Sequence, residues 1–201
     1  MRKFCCCLII VAISLMSLRL ASAVAVPLEM KMLEVAYLFD EGDGKTAQDI
    51  SPNKRHGALE GGVKYGPGKF GTGLIYDGTD DNLIVKGYRG VGGSEARTVL
   101  YWFKSASVRD HSWVKWGSGE LTKKYYVRGH VAEDKCFLRI ENAGGNNWGD
   151  TDVCDGKWHH HAVVFPTGAK NVQDHKIYVD GKLNAKFGAA KELDTDSKAQ
   201  E

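Results

Sequence analysis

The sequence predicts an all-β protein, a two-sheet antiparallel β-sandwich. Short apolar runs rich in β-branched and aromatic residues, such as RTVLYWFK and KWHHHAVVF, alternate with clusters of glycine, asparagine and aspartate. Strands of this length between turn residues are typical of sandwiches and barrels. No window keeps a helical period over three turns, which disfavours a parallel sheet with crossover helices.

The first 23 residues have the features of an export signal. Arg2 and Lys3 precede an apolar run, and Ala21-Ser22-Ala23 forms a cleavage pattern. The run is shorter than the about 20 apolar residues of a membrane-spanning helix, so we expect cleavage and no stable membrane insertion. The predicted location is therefore the secreted, periplasmic or cell-surface space.

Three segments are predicted after the signal: a linker at 24–32, one domain at 33–187 and a polar tail at 188–201, where the apolar pattern is lost. The chain beyond residue 23 carries 24 Lys and Arg against 25 Asp and Glu, with no basic cluster. Phosphate neutralisation needs clustered cations, so we predict no nucleic-acid partner.

The apolar runs give the strands in order. Asp180-Gly181 predicts a two-residue hairpin, because a type I′ turn needs positive φ at both central positions. The glycine-rich stretch NAGGNNWGD is predicted as a loop. The candidate strands are 34–40, 73–78, 82–86, 97–104, 112–116, 124–131, 136–141, 157–165 and 175–182.

Strand alternation separates side chains that are adjacent in sequence. His159 and His161 are expected on one face of their strand and His160 on the other, so the three imidazoles cannot converge on one metal ion. Trp113 and Trp116 are three residues apart, which places them on opposite faces of a regular strand. We therefore interpret the histidines as packed strand residues.

Cys136 and Cys154 are the two cysteines that follow the signal, and 17 residues separate them. An even pair in an exported protein predicts a disulfide, whose loop closure would stabilise the fold by about 3 kcal/mol. Two buried free thiols are the alternative.

A candidate ligand site lies in the loop NAGGNNWGD. Asn146, Asn147, Trp148 and Asp150 combine an aromatic surface with polar groups, the mixture that recognises sugars. The alternative is that Trp148 folds back over the edge of the sandwich.

The order of segments resembles the laminin-G-like (LamG-like) jelly-roll domain of the concanavalin A-like lectin/glucanase family. The opening resembles the family's first third in its Y-x-F-D start, its G-K-F-G-x-G-L turn and its Y-D-G-x-D-D strand pair. RTVLYWFK is similar to a T-I-S-x-W-V-K strand, and DGKWHHHAVVF with IYVDGKL resembles D-G-x-W-H-H-V-A-V and Y-V-D-G-x-L. The resemblance covers residues 33–187, and His161 stands where valine is common.

The resemblance implies a concanavalin A-like jelly roll, and the family's closing segment has no match here, so we expect the sheet to lack its final strand or strands. Many such domains bind Ca²⁺ through loop oxygens. Asp49, Asn53 and Asp81 are the candidate ligands and Ca²⁺ the candidate cofactor, with solvated turn chemistry as the alternative.

The function expected from these features is a non-catalytic recognition module for a glycan or an extracellular protein. The family's glucanases carry E-x-D-x-E on a strand, and the nearest match, ELDTD at 192–196, lies in the polar tail. We therefore predict no enzyme activity. The alternatives are a hydrolase whose catalytic carboxylates the sequence does not identify, an accessory module or fragment of a larger secreted glycoside hydrolase, and a degraded remnant without a function of its own.

Overall fold

The computed structural model describes residues 29–184 and 186–195. It is almost entirely β, with antiparallel sheets in a sandwich-like arrangement, which confirms the predicted fold class. The predicted signal peptide, most of the linker and the last residues of the predicted tail lie outside the described residues. Within the described ranges, 29–184 and 186–195, no helix has the length and apolar character that crossing a bilayer requires.

Thirteen strands and two short 3-10 helices are formed within the described residues. The helices are Met30–Met32 and Val172–Asp174. The strands are β1 (Thr46–Ala47), β2 (Gly57–Glu60), β3 (Lys64–Pro67), β4 (Thr72–Ile75), β5 (Asn82–Ile84), β6 (Arg97–Lys104), β7 (Ser112–Gly117), β8 (Lys124–Ala132), β9 (Lys135–Glu141), β10 (Asn146–Asp152), β11 (Trp158–Phe165), β12 (Lys176–Val179) and β13 (Lys182–Leu183).

Two four-stranded sheets form the sandwich. Sheet I has the order β10-β9-β8-β7, and sheet II has the order β13-β12-β11-β6. A three-stranded sheet, β1-β2-β5, and the hairpin β3-β4 complete the fold. The core between sheets I and II is a single cluster of side chains from both inner faces, with contributions from the loops: Tyr125, Val127, Cys136, Leu138, Ile140, Val153, Cys154, Val163, Phe165, Val172, Ile177, Val179 and Leu193.

The histidine strand follows the predicted alternation. Burial alternates strictly along β11, with His159 and His161 buried and His160 partly exposed. The predicted hairpin between β12 and β13 is also confirmed, because Asp180 and Gly181 have φ of 52° and 76°.

Two of the predicted segments have a different secondary structure from the one predicted. Residues 34–40 form only one bridge, Tyr37 with Asp49, because the Ala36 N–H bonds to the Asp49 carboxylate and Phe39 has a positive φ of 60°. The predicted loop at 142–150 is a strand over most of its length, since β10 pairs with β9 from Asn146 onward.

The segment at 188–195, predicted as part of a polar tail, packs against the sandwich. Leu193 is 1% exposed and belongs to the core. Thr195 bridges Gly93, and its hydroxyl lies 3.1 Å from Arg97 Nη1. The domain therefore continues to at least residue 195, because these backbone and core contacts hold a segment whose composition alone is polar.

Cys136 and Cys154 are buried free thiols in the structure, and no bond joins them there. Asp152 Oδ1 accepts the N–H groups of both cysteines, at 3.2 Å and 3.1 Å. Their side chains are hydrogen-bonded, which raises the pKa of the Cys136 thiol. The structure thus brings the pair together, and the disulfide itself stays a prediction.

Candidate functional site

The outward face of sheet I carries a dense group of charged and aromatic side chains. Strand alternation directs alternate residues of β8, β9 and β10 away from the core. Cross-strand pairing then aligns them in two rows. One row is Lys115, Tyr126, Glu141 and Asn146, and the other is Arg128, Arg139 and Trp148. We call these residues, together with Lys124 and His130, the sheet I face.

Glu141 is the centre of the charges on this face. Its carboxylate lies 2.6 Å from Lys124 Nζ, 2.8 Å from Arg139 Nη2 and 3.7 Å from Arg128 Nη1. Arg128 also pairs with Asp110 at 2.7 Å. Three cations thus share two carboxylates, and Lys115 adds an exposed fourth. The sheet I face therefore carries an excess of positive charge.

Aromatic rings lie among these cations. The Tyr126 ring lies 4.5 Å from Lys124 Nζ and 5.3 Å from the Arg128 guanidinium carbon. Trp148 packs against His130, Phe137 and Phe187, with ring centroids 4.6, 5.6 and 4.7 Å away. Burial, together with the nearby Arg139 charge, lowers the pKa of His130. Tyr126 and Trp148 are each partly exposed beside the cations.

The predicted ligand residues divide between the two faces of β10. Asn146, Trp148 and Asp150 alternate on the outward side, whereas Asn147 is buried and its amide donates to His175 O at 2.9 Å. Trp148 lies on the outward side, packed against neighbouring rings and partly exposed. The prediction missed the cations of β8 and β9, which the alternation in KYYVRGHV and CFLRIE could have indicated.

Asp49, a predicted calcium ligand, is engaged inside its own loop. Its carboxylate accepts hydrogen bonds from the N–H groups of Ala36, Ser51 and Arg55 and from the Ser51 hydroxyl, at 2.7 to 2.9 Å. Burial alone would raise the pKa of the Asp49 carboxyl, but these hydrogen bonds lower it to about 2. Asn53 likewise closes the loop by donating to Leu33 O and Glu34 O.

Asp81, the third predicted ligand, lies in a separate group. Its carboxylate accepts from the N–H groups of Gly62 and Asp77. Carboxylate oxygens of Asp77, Asp80 and Asp81 lie within 4.8 Å of one another, so these three residues could hold a cation. Because Asp49 and Asn53 are engaged in their own loop, the three predicted ligands belong to two hydrogen-bonded groups.

Comparison of the chain with protein-family models, with curated proteins and with solved structures finds no match. The assignment of a function therefore rests on the geometry of the sheet I face and of the loops.

Proposed function

We propose that the protein is an exported, non-catalytic recognition module of the LamG-like type that binds an anionic glycan on the sheet I face. The observation that carries this proposal is the convergence of Lys124, Arg128 and Arg139 on the single carboxylate of Glu141. Four cations, including the exposed Lys115, outnumber the carboxylates of Glu141, Asp110 and Asp150 here, so the face retains positive charge for a ligand.

The chemistry of the face fits a sugar acid or a sulfated sugar. Arginine binds carboxylate and sulfate through parallel N–H groups. The partly exposed residues Tyr126 and Trp148 carry aromatic rings of the kind that pack on the C–H face of a sugar. Asn146 and Asp150, on the same side of β10, offer hydrogen bonds to hydroxyl groups.

The hydrolase alternative has less support. Retaining hydrolysis needs two carboxyl groups about 5 Å apart, one free to attack and one free to donate a proton. The oxygens of Glu141 are already engaged by three cations. We therefore favour a recognition function over hydrolase activity. Binding of an extracellular protein is the other alternative.

A glycan array tests the proposal. The immobilised sugars are a polyuronate, a sulfated galactan and a neutral glucan, each probed with and without EDTA, and released reducing ends are measured in parallel. Binding to the polyuronate or the sulfated galactan, and not to the neutral glucan, supports the proposal and identifies the anionic group. Loss of that binding in EDTA would assign a role to calcium. Binding to no glycan, or turnover of any of the three, would overturn it.

A further inference from the structure

β6 is an edge strand of sheet II along its whole length. It is the last strand in the sheet order, and β11 pairs with one side of it from Arg97, opposite Phe165, to Lys104, opposite Trp158. The strand at the other edge, β13, has only two residues. An edge strand presents unpaired N–H and C=O groups with which a further strand can pair. The long open edge of sheet II is therefore β6.

The pairing geometry identifies the β6 residues that face this edge. The His160 C=O accepts the Asp180 N–H at 2.8 Å, and the His160 N–H donates to Asp180 Oδ1, so both groups of His160 point away from β6. Trp102, which lies opposite His160, then directs its own N–H and C=O to the open edge. By alternation along the strand, the residues with the same direction are Thr98, Leu100 and Lys104.

These edge groups are unpaired, and the side chains beside them are exposed. Within the part of the chain that the structure describes, no hydrogen bond from outside β11 reaches the N–H or C=O groups of Thr98, Leu100, Trp102 and Lys104. Leu100 is 63% exposed and Trp102 is 41% exposed. The exposed ring of Phe70 packs edge-on against Trp102, with centroids 5.6 Å apart. Large apolar side chains beside an unpaired edge are typical of a strand-pairing surface.

The sequence of β6 is complementary to a second copy of itself. Antiparallel pairing about a twofold axis at Tyr101 places Leu100 opposite Trp102 of the second copy, and Thr98 opposite its Lys104. All of these opposed residues have edge-facing backbone groups, so each pair can exchange both of its N–H···O bonds. The exposed apolar side chains of the two copies then lie next to each other on the outward face.

The charges of β6 allow the same pairing. Lys104 is exposed, and in this register it lies opposite a threonine rather than another cation. Arg97 is 6% exposed, and its guanidinium donates to the carbonyl groups of Val91, Gly92 and Gly93. Like charges directly opposite each other destabilise a strand pair, and this register opposes none.

We propose that the protein forms a symmetric dimer in which the β6 strands of two copies pair antiparallel and join their sheets II into one continuous sheet. Opposed residues share a face, so the twofold axis is perpendicular to the sheet and both sheet I faces point to the same side. Two such faces can bind one polysaccharide, which raises the apparent affinity without a new contact. The dimer does not rest on the proposed function, and either can fail without the other.

Sedimentation equilibrium of the full chain at micromolar to millimolar concentration tests the dimer. The wild type should associate to a dimer, and Leu100→Lys should raise the dimer Kd at least about tenfold, because a charge in the middle of an edge strand opposes pairing. Leu183→Lys is the matched control, since Leu183 is 61% exposed at the opposite edge of the same sheet, and it should leave Kd unchanged. A monomeric wild type over this range, or equal effects of the two substitutions, would overturn the proposal.

Engineered cysteines test the register. Opposed residues of a hydrogen-bonded antiparallel pair have Cα atoms about 5.5 Å apart, which a disulfide can span. A chain with both Thr98→Cys and Lys104→Cys should therefore link to a second copy in oxidised glutathione, and chains with either substitution alone should link no more than the wild type, which supplies the background from Cys136 and Cys154. Absence of a link in the double variant, or equal linking by a single variant, would contradict this pairing.

Discussion

Arg139 Nη2 lies 2.8 Å from Glu141 Oε2, and the two residues are next-but-one neighbours on β9. Strand alternation places them on the same side of the sheet. Lys124 and Arg128, from the adjacent strand β8, reach the same carboxylate. Glu141 therefore holds the cations of two strands in one place.

Glu141→Gln should destabilise the protein by about 2 kcal/mol, because three partly buried cations lose their shared counter-charge. Urea denaturation measures the free energy of unfolding. Glu60→Gln is the control, since Glu60 makes only an exposed 3.9 Å pair with Lys86 and its loss should cost below about 0.5 kcal/mol. Equal effects of the two substitutions would contradict the role of Glu141.

His161→Val should leave stability at pH 7 within about 1 kcal/mol of the wild type or raise it. His161 is fully buried among Tyr101, Phe103 and Trp113, and neither ring nitrogen has a hydrogen-bond partner. Replacing a buried unpaired polar group by an apolar one of similar size is nearly neutral or stabilising. The exposed-side substitution His160→Val is the control, and a loss above about 2 kcal/mol in His161→Val would show that the ring makes an unrecognised contact.

His161 should also lower the stability of the protein as the pH falls. Burial, with the charge of His159 nearby, lowers the pKa of His161 to about 3 from its ordinary value of 6.5. The unfolded chain then binds a proton that the folded chain does not, so stability is complete above pH 6.5 and falls as the pH drops toward 3. Denaturation curves between pH 4 and 7 should show a shallower decline in His161→Val than in the wild type. An identical decline would mean that other groups, such as the buried His175, account for it.

His159 should have the opposite effect on the pH dependence of stability. Burial alone would lower its pKa, but the hydrogen bonds to Asp180, at 2.8 Å, and Asp155, at 3.0 Å, outweigh burial and raise the pKa. The folded state therefore holds its proton more tightly, and this stabilisation is present below pH 6.5 and lost as the pH rises through the folded-state pKa. His159→Gln should flatten the decline measured between pH 6 and 9. If the variant and the wild type decline in parallel, the two carboxylates do not stabilise the imidazolium.

Leu193→Ala should destabilise the protein by about 3 kcal/mol, the cost of truncating a fully buried leucine. A polar tail outside the domain would instead tolerate the change. Leu121→Ala, at an exposed position, is the control for thermal or urea unfolding. Equal stabilities of the two variants would place the segment at 188–195 outside the core.

The sequence pattern correctly predicted features that depend on residues close together in the chain. The alternation of β11 and the Asp180-Gly181 hairpin are examples, because both depend on neighbours in sequence. The positions of Trp113 and Trp116 did not follow, since an irregularity in β7 between Ser112 and Val114 lets both rings pack against the core. The burial of Leu193 was not predicted, because its contacts are with residues distant in sequence.

The candidate site was only partly predictable. Asn146 and Trp148 were found because an aromatic residue among amides and glycines is conspicuous in the sequence. The cations were not found: alternation within each strand places Arg128 and Arg139 on outward faces, but only the pairing register of β8 with β9 brings the two together. Likewise, the Asp49 carboxylate accepts a hydrogen bond from the N–H of Ala36, which is 13 residues away in the sequence.

The most direct test of an anionic ligand on the sheet I face is the affinity of Lys115→Glu for the anionic polysaccharide that the array identifies, measured at low salt. Lys115 is exposed beside Tyr126 on that face, whereas Lys182, the matched control, is exposed on sheet II. Lys115→Glu should raise Kd about tenfold, equivalent to 1.4 kcal/mol, and Lys182→Glu should leave it unchanged. Equal affinities of the two variants would contradict the proposed site.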